Sequence, residues 1–154
     1  MPRITDIDIY EMREHHILAI RTRANVKDLM KVTAEAYPRV FAYLAELNEM
    51  PTGYPFITYH NMDMNDLDIA VGVPISKELP ARGDIVCMHI PSTKAVTCLF
   101  RGPYYATEST YNEMHAYVLS KGLVPQGTVR EIYYNSPVNY PEDELLTRIK
   151  MPVK

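Results

Sequence analysis

Residues 37–61 read YPRVFAYLAELNEMPTGYPFITYHN, and residues 111–135 read YNEMHAYVLSKGLVPQGTVREIYYN. Aligned without a gap at an offset of 74 positions, the two stretches are identical at several tyrosine, proline and glycine positions. The matches are Tyr37 with Tyr111, Ala42 with Ala116, Tyr43 with Tyr117, Pro51 with Pro125, Gly53 with Gly127, Tyr59 with Tyr133 and Asn61 with Asn135. The flanking segments align at an offset of 78, where Asp6 meets Asp84 and Leu67 meets Leu145. Ordered self-similarity of this kind predicts a duplicated structural module.

Each half shows the same succession of hydrophobic patterns. Alternating apolar and polar residues predict a strand pair, apolar residues at helical spacing then predict a helix, and two further strands follow. In the first half the expected strands are 4–10, 16–21, 56–60 and 67–73, with a helix at about 33–49 that Pro51-Thr52-Gly53 ends. In the second half they are 84–90, 95–100, 128–134 and 145–151, with a helix at about 107–120. The first two strands of each half are expected to form a hairpin.

These elements define the expected fold class. Short strands with one helix in each half predict an α+β fold of two strand–helix–strand–strand modules related by a pseudo-two-fold axis. We expect an antiparallel sheet with the helices on one face, in a single domain of residues 1–154. The modules should cover about 1–76 and 82–154, with 75–83 as the linker between them. A crevice along the pseudo-symmetry axis would be a natural ligand site.

Composition narrows the range of functions. The 154 residues carry 16 Lys and Arg against 19 Asp and Glu, a net charge of −3, which argues against direct binding of nucleic acid. No apolar run is long enough for a membrane span, and the N-terminus is charged from the start, so the expected location is the cytoplasm. In that compartment Cys87 and Cys98 are expected to be reduced thiols, although a hairpin turning at Ser92-Thr93 would place them directly opposite each other.

Tyrosine is strongly over-represented. There are 12 Tyr against 3 Phe and no Trp. Because a buried tyrosine hydroxyl needs a hydrogen-bond partner, this excess suggests a pocket that is partly polar and partly apolar. Exposed strands, where tyrosine is also favoured, would explain the same composition.

Glu131 is the leading candidate for a functional residue. At the repeat offset it replaces Ile57, so if Ile57 faces the interior, Glu131 does as well. A buried carboxylate is costly without a partner, and it would either have a raised pKa or await a cation. A solvent-facing edge position, or an ion pair with Arg130 or Arg148, would be the structural alternative.

Aromatic residues are expected around that carboxylate. Tyr133 lies two residues further along the strand and therefore on the same face. Tyr104 and Tyr105 precede the second helix, while Tyr37 and Tyr59 are approximate counterparts in the first half. Aromatic faces beside a carboxylate would form a receptor for a cation. The competing interpretation is helix–sheet packing, which we favour for Tyr111 and Tyr117 because tyrosines occupy both repeats at those positions.

The five histidines do not form a recognisable metal site. None is spaced from another as helical metal ligands are, and no metal or cofactor is expected. His115 replaces Phe41 at a position predicted to face inward, where it could be a second polar group of the pocket. A hydrogen-bonded core histidine is the alternative.

The sequence resembles the GyrI-like effector-binding domain family over nearly its whole length. The resemblance rests on two runs in the second half, Phe100-Arg101-Gly102-Pro103-Tyr104-Tyr105 and Arg130-Glu131-Ile132-Tyr133-Tyr134-Asn135-Ser136-Pro137. It also rests on the tyrosine-bearing helix between them and on the ending Leu146-Thr147-Arg148-Ile149-Lys150-Met151-Pro152-Val153. In the first half, Asp66-Leu67-Asp68 and Val73-Pro74-Ile75 fit the family's middle signature.

This resemblance implies a duplicated fold with an aromatic cleft, lined by the glutamate of a Glu-x-Tyr strand, here Glu131. It also implies capture of bulky hydrophobic, often cationic aromatic molecules, as in the ligand-sensing domains of transcription activators. Two alternatives come with it: hydrolysis of cyclopropanoid or other electrophilic genotoxins in the same cleft, or modulation of a partner protein such as DNA gyrase. Because the two modules use all the residues, no DNA-binding helix-turn-helix is expected within them. We therefore expect either a stand-alone protein or one that works beside a separate partner.

Overall fold

The computed structural model describes residues 3–154, which contain two α-helices and eight β-strands. The elements in chain order are β1 (Asp8–Met12), β2 (His15–Ala24), α1 (Leu29–Glu46), β3 (Phe56–Tyr59), β4 (Leu67–Ile75), β5 (Ile85–Ile90), β6 (Thr93–Arg101), α2 (Glu108–Ser120), β7 (Val129–Tyr133) and β8 (Leu146–Val153). Short 3-10 helices cover Tyr104–Ala106 and Glu142–Glu144. All strand pairings are antiparallel within the two compact units described below, and the α+β class predicted from the sequence is confirmed.

The chain divides into two compact units. The N-terminal unit is Arg13–Ser92, and the C-terminal unit combines the described residues up to Met12 with Thr93–Lys154. These boundaries do not follow the predicted modules of about 1–76 and 82–154. The reason is the pairing of β1 and β5. Strand β1 pairs with β6 and so belongs to the C-terminal unit, whereas β5 pairs with β2 and so belongs to the N-terminal unit.

The two predicted hairpins are therefore wrong. Strand β2 pairs with β4 on one side and β5 on the other, and β1 does not pair with it. As a result Cys87 lies opposite Leu18, and Cys98 lies opposite Ile149, so the two cysteines are not cross-strand neighbours. Both are free thiols, and burial raises the pKa of Cys98 to about 11.

The N-terminal unit has the strand order β3–β4–β2–β5, with α1 packed against β4 and β2. Ala36, Val40 and Leu44 recur at helical spacing on the buried side of α1. Strand β4 is buried along most of its length, and Gly72 at its centre lies against β2. A Cβ atom on Gly72 would come within 2.6 Å of the Ala19 Cβ, so the close pairing of β4 with β2 requires glycine there.

The C-terminal unit has the strand order β1–β6–β8–β7, and α2 packs against β6. Its hydrophobic core comprises Val96, Cys98, Phe100, Met114, Val118, Val129, Ile149, Met151 and Val153. These residues alternate along β6 and β8, so the core lies on the face of the sheet that carries α2. The other face of this sheet carries Thr97, Arg148 and Lys150.

Each unit contains a strand–helix–strand–strand succession, β2-α1-β3-β4 or β6-α2-β7-β8, with the same strand pairing. In the N-terminal unit β4 lies between β2 and β3, and in the C-terminal unit β8 lies between β6 and β7. That the two units are copies of one duplicated strand–helix–strand–strand module remains a prediction.

Both helices end in the same way. In α1 the amides of Asn48 and Glu49 donate to the carbonyls of Ala45 and Leu44, and Asn48 has a φ of 55°. In α2 the corresponding left-handed residue is Gly122, with a φ of 69°. This Schellman motif satisfies the last carbonyls of each helix. The first helix was predicted at 33–49, but it starts at Leu29 and accommodates Pro38 in its interior, and it ends before the predicted stop at Pro51.

Candidate functional site

Glu131 occupies a buried position on β7 within the C-terminal unit. It pairs across the strands with Ile149, a fully buried core residue, and Val129 precedes it on the same strand face. Only 7% of Glu131 is exposed. The inward orientation predicted from the Ile57 match is therefore observed, and the solvent-facing alternative is wrong.

Two tyrosine hydroxyls donate hydrogen bonds to this carboxylate. The Tyr111 hydroxyl, from α2, donates to Oε2, and the Tyr133 hydroxyl, from the end of β7, donates to Oε1 at 2.9 Å. Each carboxylate oxygen thus has a donor from a different part of the unit. Hydroxyl groups that donate to a carboxylate favour its charged form, which offsets part of the cost of burying it.

A third tyrosine extends the aromatic surroundings. The Tyr104 ring meets the Tyr133 ring edge-on, with the ring centroids 5.3 Å apart. Burial raises the pKa of Tyr104, and the negative charge of Glu131 raises it further. Both Tyr104 and Tyr133 are half-buried, so their rings lie where apolar packing meets more open space. The result is a negative group with aromatic rings beside it.

The structure places the remaining predicted site residues differently. Tyr105 is 80% exposed, and His115 is also exposed on α2. The predicted inward position of His115 is wrong, because Met114 and Val118 occupy the buried side of this helix instead. Residue 115 is the position that Phe41 holds in α1, and Phe41 is itself 39% exposed.

Tyr37 and Tyr59 belong to the N-terminal unit. The Tyr37 hydroxyl donates to the main-chain carbonyl of Phe56 at 2.8 Å, and its ring centroid lies 6.5 Å from that of Phe41. Tyr59 is buried in β3. Within their own unit both residues therefore have structural contacts, and a role in ligand binding stays a prediction for them.

Tyr111 is the functional candidate that the sequence analysis assigned to packing. Its ring does pack against the core cluster of the C-terminal unit, but its hydroxyl reaches Glu131. The repeat contained the signal for this contact. Tyr37 and Tyr111 match at the same offset as Ile57 and Glu131, so a tyrosine that reaches the strand in one unit should reach the carboxylate in the other.

Arg148, the arginine considered as an ion-pair partner of Glu131, has other partners. Its guanidinium donates to the hydroxyls of Tyr134 at 2.8 Å and Thr97 at 3.3 Å, on the sheet face away from α2. Among residues 3–154, no cluster of three His, Cys, Asp or Glu side chains is arranged to hold a metal ion. Within the same range, neither helix has the length and apolar character of a membrane span.

An α+β domain with a tyrosine-bonded buried carboxylate has the features of a small-molecule binding site, in which a few polar groups are placed among apolar ones. The sequence profile of the GyrI-like small molecule binding domain matches residues 5–154, and the chain belongs to this family. Among curated protein sequences, none matches the chain.

Solved structures with the same fold include the C-terminal domain of EcmrR, with a TM-score of 0.85 and 21% sequence identity over 98% of both chains. In the EcmrR–DNA complex the chain matches 57% of EcmrR's length, with a TM-score of 0.83. A hydrolase from Listeria innocua has a TM-score of 0.75 and 13% identity, covering 100% of this chain and 94% of that one. SAV2435 bound to tetraphenylphosphonium has a TM-score of 0.64 and 13% identity, covering 97% and 94%.

Proposed function

We propose that the chain binds bulky hydrophobic, often cationic aromatic molecules, and that Glu131 is their anionic contact. The observation that carries the proposal is the buried carboxylate held by two tyrosine hydroxyls next to the edge-on rings of Tyr104 and Tyr133. A delocalised cation would gain Coulomb attraction from the carboxylate and cation–π attraction from the rings, each ring contributing about 0.5–2 kcal/mol.

Charge and burial together favour this ligand class. A buried negative charge attracts a cation far more strongly than an exposed one does, because little water screens it. A hydrophobic cation is less strongly hydrated than a small ion such as ammonium, so less hydration is lost when it binds. The relative SAV2435, whose structure holds tetraphenylphosphonium, has a ligand of this chemistry.

The decisive experiment compares a cation with a neutral molecule of similar rings. Tetraphenylphosphonium and triphenylphosphine oxide are titrated by calorimetry into the wild-type chain and into Glu131→Gln. Loss of one partner of a buried charged contact costs about 2–5 kcal/mol, so the cation should bind roughly 30-fold or more weakly to the variant, with little change for the neutral molecule. Glu142→Gln, an exposed carboxylate of the same unit, is the matched control and should bind both as the wild type does.

Equal losses for the cation and the neutral molecule would show that Glu131 does not select for charge. Equal binding of tetraphenylphosphonium to Glu131→Gln and to the wild type would refute Glu131 as the anionic contact. Because the control variant removes the same chemical group from the surface, a long-range electrostatic effect would affect both variants alike.

Hydrolysis of an electrophilic ligand is the second candidate. The observation that favours it is the contact between the Glu131 carboxylate and the Tyr133 hydroxyl, a pair that could activate and orient a water molecule. A hydrolase from Listeria innocua is one of the structural relatives. Incubation with a cyclopropane-bearing alkylating agent, followed by mass spectrometry, distinguishes the two functions: a hydrolase gives a water adduct in catalytic excess that Glu131→Gln abolishes, whereas a binder returns the compound unchanged.

A further inference from the structure

The sheet of the C-terminal unit carries a cationic cluster on the face turned away from α2. Arg148 and Lys150 are two residues apart on β8 and so share this face, and Arg130 on β7 lies directly opposite Lys150. All three side chains are half-buried. We call these three residues the basic cluster.

A hydrogen bond of Arg148 and a ring contact of Lys150 show where two members of the basic cluster lie. Arg148 donates to the Thr97 hydroxyl at 3.3 Å, and Thr97 lies directly across from Lys150 on β6. The Lys150 ammonium lies 5.3 Å from the centroid of the Tyr10 ring, on β1. The Arg148 guanidinium therefore contacts the residue directly across from Lys150, and the Lys150 ammonium lies near the Tyr10 ring.

Two members of the basic cluster, Lys150 and Arg148, form no ion pair with a carboxylate within residues 3–154. Burial, and to a lesser extent the positive charges of Arg130 and Arg148, lower the pKa of Lys150 to about 8. Burial also lowers the pKa of Arg130 to about 10. The carboxylate that faces the cluster in the same register is Asp8, opposite Thr97 on β1, and it is exposed.

A hydrogen-bond donor beside the cluster also lacks an acceptor. The Tyr10 hydroxyl is buried and has no hydrogen-bond partner among residues 3–154. Burial raises the pKa of Tyr10, and the positive charges of Arg130 and Arg148 oppose that rise, so the hydroxyl lies within electrostatic reach of both guanidinium groups. An oxygen anion next to it would supply the acceptor that the hydroxyl lacks.

We propose that this face of the C-terminal unit binds a small oxyanion, of the carboxylate, sulfate or phosphate class, between Lys150 and Arg148 beside the Tyr10 hydroxyl. Guanidinium groups suit such anions because their N–H donors match two oxygens at once. The ammonium of Lys150 adds a compact point charge. This site lies on the opposite face of the sheet from Glu131, and it stands independently of the function proposed above.

The proposal predicts a specific pH dependence. A bound anion favours the charged form of Lys150, so affinity should be constant below a pH of about 8 and should fall as the free lysine loses its proton above that value. The other charged and titratable groups that face Lys150 are Arg130 on β7, Arg148 on β8, and Asp8 and Tyr10 on β1. Sulfate is the suitable probe because it does not itself titrate there.

The test is a sulfate titration of the full chain followed by proton–nitrogen correlation NMR, with chloride at matched ionic strength as the reference. Saturable shifts should be confined to amides near Tyr10, Arg130 and Arg148 to Lys150. Lys150→Gln should weaken sulfate binding at least fivefold, whereas Lys94→Gln, an exposed lysine on β6 whose side chain lies on the other face, should leave it unchanged. Lys150→Arg should bind sulfate and lose the decline above pH 8.

Several results would overturn the proposal. Shifts that fail to saturate, or that spread evenly over the surface, would mean an adventitious ion only. If Lys150→Gln and Lys94→Gln lost the same amount of sulfate affinity, the effect would come from the net charge of the protein and not from a specific site. If Lys150→Gln does not fold, Lys150→Arg decides alone, because an unchanged decline above pH 8 in that variant would exclude Lys150 as the anion ligand.

Discussion

Replacing Tyr111 by phenylalanine tests whether its hydroxyl stabilises the buried Glu131 carboxylate. The substitution removes one oxygen and keeps the ring, which packs against the core of the C-terminal unit. A hydrogen bond to a charged group contributes about 1.5–3 kcal/mol, more than the 0.5–1.5 kcal/mol of a neutral one. For a chain of this size the loss should lower the Tm by about 3–12 °C.

The repeat supplies a matched control for this substitution. Tyr37 is the counterpart of Tyr111, but its hydroxyl donates to the neutral carbonyl of Phe56. The free energy of unfolding, measured with guanidinium chloride, should therefore fall further in Tyr111→Phe than in Tyr37→Phe. In the double variant Tyr111→Phe with Glu131→Gln, the cost of losing the hydroxyl should shrink by about 1 kcal/mol or more, because the charged acceptor is absent.

Two outcomes would refute this reasoning. If Tyr111→Phe costs no more than Tyr37→Phe, the charge of the acceptor does not matter to stability. If Glu131→Gln leaves the cost of Tyr111→Phe unchanged, the hydroxyl does not act through the carboxylate, and packing explains the whole effect.

Three further predictions concern the scaffold. Gly72→Ala should lower the free energy of unfolding by roughly several kcal/mol, because the added methyl group would overpack the contact with β2 and force the backbone to shift. The denaturant midpoint should fall accordingly. A thiol reagent should modify the half-exposed Cys87 first and Cys98 only after unfolding, with no disulfide between them in the native state. The hydrogen bond from Arg21 lowers the pKa of Asp68. Arg21→Met should therefore be less stable than the wild type above a pH of about 4. This difference in the free energy of unfolding should disappear at lower pH, as Asp68 becomes protonated in the folded wild type.

The sequence predicted most strands and both helices, because alternation and helical spacing report which residues of a segment are buried. It did not predict which strands pair. The links between β1 and β2 and between β5 and β6 are two residues long, as in hairpins, yet β1 pairs with β6 and β5 with β2. Strand alternation fixes the face of each residue but leaves the neighbouring strand open, so tertiary packing decided the partner.

At the candidate site, too, the sequence predicted which face a residue occupies but not which residue it contacts. The match of Glu131 with Ile57 predicted an inward carboxylate, and in the structure Glu131 is only 7% exposed. The assignment of Tyr111 to packing followed from treating identical repeat positions as purely structural. Identical residues can have different partners in the two units: the hydroxyl of Tyr37 bonds a main-chain carbonyl, whereas that of Tyr111 bonds a carboxylate.

Strand β7 places two opposite charges on opposite faces of the sheet, because successive side chains of a strand alternate between the faces. Arg130 and Glu131 are adjacent, so one side chain contributes to the basic cluster and the other faces the core and α2. Neutralising a residue on one face therefore leaves the hydrogen bonds on the other face intact. Glu131→Gln should change the binding of tetraphenylphosphonium while sulfate binding persists, and Lys150→Gln should do the reverse. If each substitution changed both ligands by the same factor, the two faces would share one site, and the assignment of separate roles to Glu131 and Lys150 would be wrong.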